Sequence, residues 1–297
     1  MTWGLIAQMG HVSIQTTDVA ASVVDATSLL GLHVNEASDG VAYLAGADVH
    51  HELSYHGGEL NGIDRIGLVA ASPAALRELY ARVKRTDFPI LSGEADGPGV
   101  AEAFSFVGPE GYVFEIYTGM EHVANPLGRG ASGPDRYGHI NIHPQDVVAF
   151  KDFLVQVLDF RLSDVIGDDF AYFLRCNSDH HGIALIRGAG TLHHHAWQVQ
   201  SATELTKVCD RVGAAGREII WGPVRHGAGH NIACYYVEAS GAVVEIYTDL
   251  EQIYDDERPP VTWGGNDNWF NMWSDFRPES FRMHGLAPAP ISSVIAR

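Results

Sequence analysis

An internal duplication constrains the fold of this chain more than any single motif does. Short segments of the first half recur in the second half, in the same order and about 130 residues later. The matched pairs are residues 10–14 with 138–142, 41–44 with 170–173, 72–76 with 201–205, and 110–118 with 240–248. A nearly constant period indicates that one structural unit has been duplicated in tandem.

Each half contains one pattern twice: a strand, an amphipathic helix, and then two or three strands separated by Gly or Pro turns. The predicted helices are 19–30, 73–84, 146–158 and 203–212. Four βαβββ units predict an α+β fold of curved, mixed sheets in two tandem domains. The predicted divisions are an N-terminal domain (1–124), a Gly/Pro-rich linker (125–134), a C-terminal domain (135–250) and an aromatic-rich tail (251–297).

Composition narrows the functional class. The net charge of −18 leaves no basic surface to neutralise phosphates, which argues against nucleic acid as a partner. Three scattered cysteines do not suggest a disulfide framework, and no signal peptide or membrane-spanning stretch is evident. We therefore expect a cytoplasmic enzyme or binding protein.

The strand 241–247 is apolar and β-branched, yet it carries Glu245 in its middle. A buried carboxylate is costly unless it is paired, hydrogen-bonded or bound to a metal. Two upstream strands carry His139 and His194, so these three residues are predicted to bind one divalent metal.

The duplication supplies an internal control for this prediction. The residues that align with His139, His194 and Glu245 in the first half are His11, Arg65 and Glu115. Arginine stays protonated and cannot ligate a metal. A metal site is therefore expected in the second half alone, and we expect Glu115 to form an ion pair.

Strand alternation places His194, Ala196 and Gln198 on one face, and His193, His195 and Trp197 on the other. Two imidazoles and one carboxylate make the facial triad that is typical of non-haem Fe(II), with open positions for substrate and oxygen. Mn(II) and zinc also accept these ligands. Each residue taken singly has an ordinary explanation as a satisfied core residue, a polar tract or a salt bridge, so the prediction depends on the combination.

Five further segments carry a family resemblance: residues 137–139, 175–181, 192–197, 225–226 and 235–247. In this order they resemble the type I extradiol ring-cleaving dioxygenases of the vicinal oxygen chelate superfamily, the catechol 2,3-dioxygenase-like enzymes, over nearly the whole chain. The resemblance implies His139, His194 and Glu245 as iron ligands, with His195 the nearest rival to His194. It also implies catalytic roles for His181, which hydrogen-bonds oxygen and shuttles a proton, and for His226 and Tyr235, which position the catecholate. The first half has a counterpart of His181 in the pair at 50–51.

The implied reaction cleaves a catechol next to its diol with O2 and yields a 2-hydroxymuconic semialdehyde-type product. It uses Fe(II), with Mn(II) as the alternative metal, in a homo-oligomer. The alternatives are a metal-dependent isomerase or hydrolase on the same fold, and a protein that binds a small aromatic molecule. The sequence does not identify the catechol, although Arg175, Arg187 or Arg225 could each bind a substrate carboxylate. The aromatic tail could form a lid, a subunit contact or simple packing.

Overall fold

The computed structural model describes residues 4–125 and 133–294. The first half comprises β1 (Ile6–Thr16), α1 (Val19–Asp25), β2 (His33–Ser38), β3 (Val41–Ala45), β4 (Leu53–Gly57), β5 (Gly62–Ala70), α2 (Pro73–Val83), β6 (Ile90–Ser92), β7 (Glu102–Val107) and β8 (Val113–Thr118). The second half comprises β9 (Arg136–His143), α3 (Val147–Gln156), β10 (Arg161–Ile166), β11 (Ala171–Arg175), β12 (Ile183–Ile186), β13 (Thr191–Gln198), α4 (Ala202–Ala214), β14 (Ile219–Arg225), β15 (Ile232–Val237) and β16 (Val243–Thr248). The tail adds β17 (Val261–Trp263) and the single turn α5 (Ile291–Val294).

This order of elements confirms the predicted fold class, four βαβββ units in two tandem halves. Most of the predicted linker, residues 126–132, lies outside the described residues. No helix in the described parts of the chain is both long and apolar enough to cross a membrane.

The helices begin at residues whose side chains cap them. The capping residues are Asp18, Ser72, Asp146 and Ser201, each accepting a hydrogen bond from a backbone N–H of the first turn. The two serines occupy matching places in the repeat. The first predicted helix, 19–30, is α-helical to Asp25 and then widens into a π-helical turn over Ala26–Leu30, which ends at Gly31 in the left-handed conformation.

Each half forms one curved sheet. The strand order is β2-β3-β4-β1-β5-β8-β7-β6 in the first half and β14-β15-β16-β13-β9-β12-β11-β10-β17 in the second. The opening strands of the two units in each half pair antiparallel, β1 with β5 and β9 with β13, and each then pairs in parallel with the closing strand of its own unit.

Alternation along the strands gives each sheet an apolar and a polar face. On β1, Val12 and Ile14 are buried in the core, whereas His11 and Ser13 line a cavity on the other face. The apolar faces and the helices form one core that spans both halves. Within it, Phe106 and Phe114 pack against Phe153 of α3. The polar faces therefore form two separate cups, one in each half.

A glycine precedes the first cup histidine in both halves for a steric reason. A side chain at Gly10 would overlap the hydroxyl of Tyr117, and one at Gly138 would overlap the hydroxyl of Tyr247. Each tyrosine ring lies close to the histidine that follows the glycine, with centroids 5.4 Å apart for His11 and 4.8 Å for His139. In each half, the tyrosine of the repeated Ile-Tyr pair therefore packs against the repeated Gly-His pair.

The tail runs back over the molecule. β17 extends the second sheet by pairing with β10. Backbone hydrogen bonds join Leu286 to Leu192 and Ala289 to Ile63, so the tail crosses from the second half to the first. Three of its aromatic side chains, Trp269, Phe270 and Phe281, line the cup of the second half.

Candidate metal centre and active site

Three adjacent strands carry the predicted metal ligands. β13 lies between β16 and β9, and Ala196 on β13 pairs with Glu245 on one side and His139 on the other. His194 lies two residues before Ala196 and lines the same cavity as the other two ligands. The small side chain of Ala196 leaves space between the larger groups around it.

The ligand atoms converge. His139 Nε2 lies 3.1 Å from Glu245 Oε2, and His194 Nε2 lies 2.9 Å from the same oxygen. Zinc, for example, binds imidazole nitrogen and carboxylate oxygen at about 2.0–2.2 Å. Two ligand atoms that subtend a right angle at such a metal therefore lie about 3 Å apart. The measured separations match that value. Among residues 4–125 and 133–294, these three form the only group of metal-ligating side chains that meets within 4.8 Å.

The pKa shifts of Glu245 and His194 together fit a bound dication. Burial works to raise the pKa of Glu245, but His139 and His194 outweigh burial and hold that pKa well below its usual range. Positive charge beside Oε2 therefore stabilises the ionised carboxylate. Burial, however, lowers the pKa of His194, which resists protonation. A divalent metal supplies the charge and leaves the imidazoles neutral, as ligation requires.

Asn231 completes the surroundings of the carboxylate. Its Nδ2 donates a hydrogen bond of 2.9 Å to Glu245 Oε1. The two carboxylate oxygens therefore have different partners, because Oε2 faces both imidazoles. Contacts of this kind orient a ligand and tune its affinity for metal.

His181 lies against the predicted metal centre, with its ring centroid 4.4 Å from that of His139. Burial, and next His139, lower the pKa of His181 well below its usual range, so the ring is neutral. His181 Nδ1 lies 3.0 Å from Nδ1 of His180. The other ring nitrogen of His180, Nε2, lies 3.1 Å from Asp164 Oδ1, although these two atoms are not aligned for a hydrogen bond. A carboxylate there favours the proton on His180 Nε2, so His181 Nδ1 donates to His180 Nδ1. His181 Nε2 then carries the ring's free lone pair.

His226 and Tyr235 form a second hydrogen-bonded pair in the cavity. His226 Nδ1 donates to the Phe270 carbonyl oxygen at 2.6 Å, and burial lowers the pKa of this histidine. In the neutral ring, Nε2 must then accept the hydrogen bond of 2.7 Å from the Tyr235 hydroxyl. Burial, and next Glu245, raise the pKa of Tyr235 well above its usual range. Tyr235 also pairs with Glu245 across β15 and β16.

The three consecutive histidines depart from strict alternation. The register of β13 against β9 shifts between residues 192 and 194, and His193 lines the same cavity as His194. The prediction that His193 shares a face with His195 is therefore wrong, because an irregular step in the ladder changes which side chains face the cup. His193 is held by a contact of 2.6 Å between Nε2 and the Phe281 carbonyl.

His195, the nearest rival as a metal ligand, lies on the opposite face of the strand. Its Nδ1 accepts a hydrogen bond of 2.9 Å from Trp197 Nε1, and its Nε2 lies 3.9 Å from Glu238. The structure thus places His194, and not His195, at the cluster.

Several residues of the cavity are not among the site residues predicted from the sequence. Asn231 follows a Gly-rich stretch that is typical of a turn, and only the tertiary structure brings it to Glu245. Trp269, Phe270 and Phe281 belong to the tail, which has no counterpart in the duplication. Their concentration of aromatic side chains is the signal that they must be covered.

The space within the second cup is small. It amounts to about 40 Å³, whereas a cavity that admits benzene has about 150 Å³. Side chains of the lining therefore have to move apart before an aromatic molecule fits. Three aromatic side chains of the tail, Trp269, Phe270 and Phe281, belong to that lining.

The first half has a larger cup, with an arginine in place of the second imidazole. Its cavity is about 500 Å³. Arg65 Nη1 lies 2.9 Å from Glu115 Oε1 and also binds Asp96, while His11 Nε2 lies 3.3 Å from Glu115 Oε2. The expected ion pair of Glu115 is present. Nδ1 of His51 lies 2.9 Å from Nδ1 of His50. The paired histidines of the second half, His180 and His181, make the same contact.

Comparisons with known proteins agree with the duplicated architecture. The model of the Glyoxalase/Bleomycin resistance protein/Dioxygenase superfamily matches residues 8–116 and again residues 136–246. A biphenyl-2,3-diol 1,2-dioxygenase of Paraburkholderia xenovorans (strain LB400) is 29% identical over 260 residues, which cover 81% of this chain and 87% of that protein.

Two solved structures are similar over 97% of this chain. The Mn(II)-bound glyoxalase from Novosphingobium aromaticivorans has a TM-score of 0.88 at 29% identity, with 95% of its own chain covered. Homoprotocatechuate 2,3-dioxygenase from Arthrobacter globiformis has a TM-score of 0.87 at 26% identity, with 94% covered.

Proposed function

The chain belongs to the Glyoxalase/Bleomycin resistance protein/Dioxygenase superfamily, and from that membership we propose that it is an extradiol dioxygenase. It would open the ring of a catechol with O2, breaking the carbon–carbon bond next to the two hydroxylated carbons. Both oxygen atoms enter the product, a 2-hydroxymuconic semialdehyde. The similarity to a biphenyl-2,3-diol dioxygenase and to a homoprotocatechuate 2,3-dioxygenase supports this proposal.

One observation carries the proposal: the three candidate ligands share a cavity with two separate proton-handling groups. His181 lines the cavity, and so does the hydrogen-bonded pair His226–Tyr235. A metal cation acidifies a catechol hydroxyl that binds it, so proton acceptors beside the candidate ligands fit this substrate. Simple sequestration of an aromatic molecule would need none of these groups.

The proposed metal ligands are His139, His194 and Glu245. Fe(II) held there would, when bound, act as a Lewis acid and pass electrons from the diol to O2. We favour Fe(II) because two imidazoles and a carboxylate form its usual facial set, and Mn(II) accepts the same ligands.

The proposed roles of the other residues follow from their protonation states. His226 is neutral and its Nε2 accepts from the Tyr235 hydroxyl, so Tyr235 can take the proton of one catechol hydroxyl as it passes its own proton to His226. His181 Nε2 can accept the second proton and return it as the ring opens. Phe270 and Phe281 would exclude water from the reacting groups.

The wider setting is also part of the proposal. Residues 135–250 would form the catalytic domain, and the domain of residues 1–124 would contribute no complete metal site. All three cysteines are free, which suits a reducing compartment, and we propose that the enzyme works in the cytoplasm as a homo-oligomer.

An oxygen electrode provides the direct test. Protein loaded anaerobically with Fe(II), and in parallel with Mn(II), is mixed with catechols in air-saturated buffer. We expect one O2 consumed per catechol and a yellow ring-opened product. Catechols that remain intact, with no oxygen uptake by either form, would contradict the proposal.

A metal-dependent isomerase is the second candidate, because the Mn(II)-bound glyoxalase has the same fold over nearly the whole chain. Such an enzyme needs a metal and a base but consumes no oxygen. A hemithioacetal of methylglyoxal and glutathione, assayed with the same metal-loaded samples, separates the two candidates.

A further inference from the structure

The cavity beside the proposed metal ligands is lined by both polar and apolar side chains. The polar ones are the histidines, Asn141, Asn231, Tyr235 and Glu245. The apolar ones include Phe173, Ile186, Ala228, Trp269, Phe270 and Phe281. Among the described residues that line the cavity there is no lysine or arginine, and Glu245 is the only acidic one.

The arginines that could have bound a substrate carboxylate are committed elsewhere. Arg175 is 1% exposed and donates to the carbonyls of Leu162, Asp256 and Arg258. These bonds fix the adjoining part of the tail to the end of β11, and Arg175 is not among the residues that line the cavity.

Arg187 and Arg225 are occupied in the same way. Arg187 donates to the Asp169 carbonyl at 2.9 Å. Arg225 donates to the His230 carbonyl at 2.6 Å and lies 3.2 Å from the carboxylate of Asp249. None of the three cationic candidates from the sequence lines the cavity.

Two arginines of the tail lie over aromatic side chains. The guanidinium of Arg277 is 5.3 Å from the ring of Trp269 and 4.9 Å from that of Phe270. Arg282 lies 5.5 Å from the ring of Phe170 and donates to the Arg187 carbonyl. Neither is among the residues that line the cavity.

We propose that the substrate is an uncharged catechol whose ring substituent is a hydrocarbon group, an inference that rests on the proposed dioxygenase function. A carboxylate on the substituent would be buried beside apolar side chains, and no lysine or arginine among the described lining residues could pair with it. A hydrocarbon substituent instead packs against Phe173 and the aromatic side chains of the tail.

The test compares substrates that differ in charge but little in shape. Fe(II)-loaded enzyme is assayed with 4-ethylcatechol, with 3,4-dihydroxyphenylacetate and with the uncharged methyl ester of that acid. We expect kcat/KM for the two neutral compounds to exceed that for the acid by about 100-fold or more, since an unpaired buried charge costs at least two factors of ten. Calorimetric binding under anaerobic conditions should give the same order of affinities without turnover.

Each result has a defined meaning. Equal or better turnover of the acid would overturn the substrate assignment and leave the dioxygenase function intact. Oxygen uptake with none of the compounds would remove the proposed function, and the assignment with it. Arg277→Leu and Arg282→Leu should leave the preference unchanged, and loss of activity toward the acid alone in either variant would reveal a hidden carboxylate site.

Discussion

Replacing Asn231 with alanine should weaken metal binding although Asn231 is not itself a proposed ligand. Its Nδ2 donates the hydrogen bond of 2.9 Å to Glu245 Oε1, and the residue is 2% exposed. A hydrogen bond to a charged group contributes about 1.5–3 kcal/mol. Residues that support metal ligands in this way typically change affinity by about 10–100-fold. Since a tenfold change corresponds to about 1.4 kcal/mol, the two ranges agree.

The assay is an anaerobic titration of the metal-free Asn231→Ala protein with Fe(II) or Mn(II) in competition with a chelator. Asn35→Ala is the matched control, because Asn35 donates two hydrogen bonds to the carbonyls of Val49 and His50 in the first half. The control should lose thermal stability but bind metal as the wild type does. Wild-type affinity in a folded Asn231→Ala protein would refute the reasoning that this amide holds the carboxylate in place.

Four further changes test other parts of the site. His194→Ala should abolish metal retention while His195→Ala retains it, and full metal content in the first variant would contradict the ligand assignment. Arg65→His should give two metals per chain by elemental analysis where the wild type binds one, since it completes a His/His/Glu set in the first cup. His181→Ala should keep its metal but slow turnover by about 10²–10⁴-fold, and unchanged oxygen uptake would exclude its proton-transfer role. Burial, and to a lesser degree the neighbouring His50, lower the pKa of His51 to about 3 in the folded protein. His51 therefore stays neutral in the folded protein, whereas in the unfolded chain it gains a proton below about pH 6.5. Stability is therefore lost as pH falls from about 6.5 toward 3, and His51→Gln should lose about 1.4 kcal/mol less per pH unit in urea denaturation.

The duplication made much of the fold and of the site predictable from the sequence. Helix positions followed from the repeated pattern, and in the structure the matching helices begin at Ser72 and Ser201, whose side chains cap them locally. The same alignment placed Arg65 opposite His194, and the structure has the expected ion pair between Arg65 and Glu115. Residues in repeated, regular elements are predictable because periodicity fixes the face on which they lie.

Residues outside that regularity were not predictable. The register shift before His194 brings His193 into the cavity, and strict alternation gives no sign of it. Phe281 reaches the cup through a tail that occurs once in the chain and has no strand periodicity. Asn231 meets Glu245 only because β15 and β16 pair in a particular register, which is a tertiary property.

The two cups differ in whether a permanent cation, Arg65, lies beside the buried glutamate. Burial raises the pKa of Glu115 to about 7 even with Arg65 beside it, which measures how strongly this environment opposes a negative charge. Glu245 is more deeply buried, at 1% exposed, and in the described residues its ion-pair partners are imidazoles rather than a permanent cation. An arginine at this position neutralises the buried glutamate with its own permanent charge. A histidine there does not, so the glutamate is stabilised instead by a bound, exchangeable dication. On this reasoning Arg65→His is the more demanding test of the metal site, because it must create binding where none existed, whereas a ligand deletion can fail simply through misfolding.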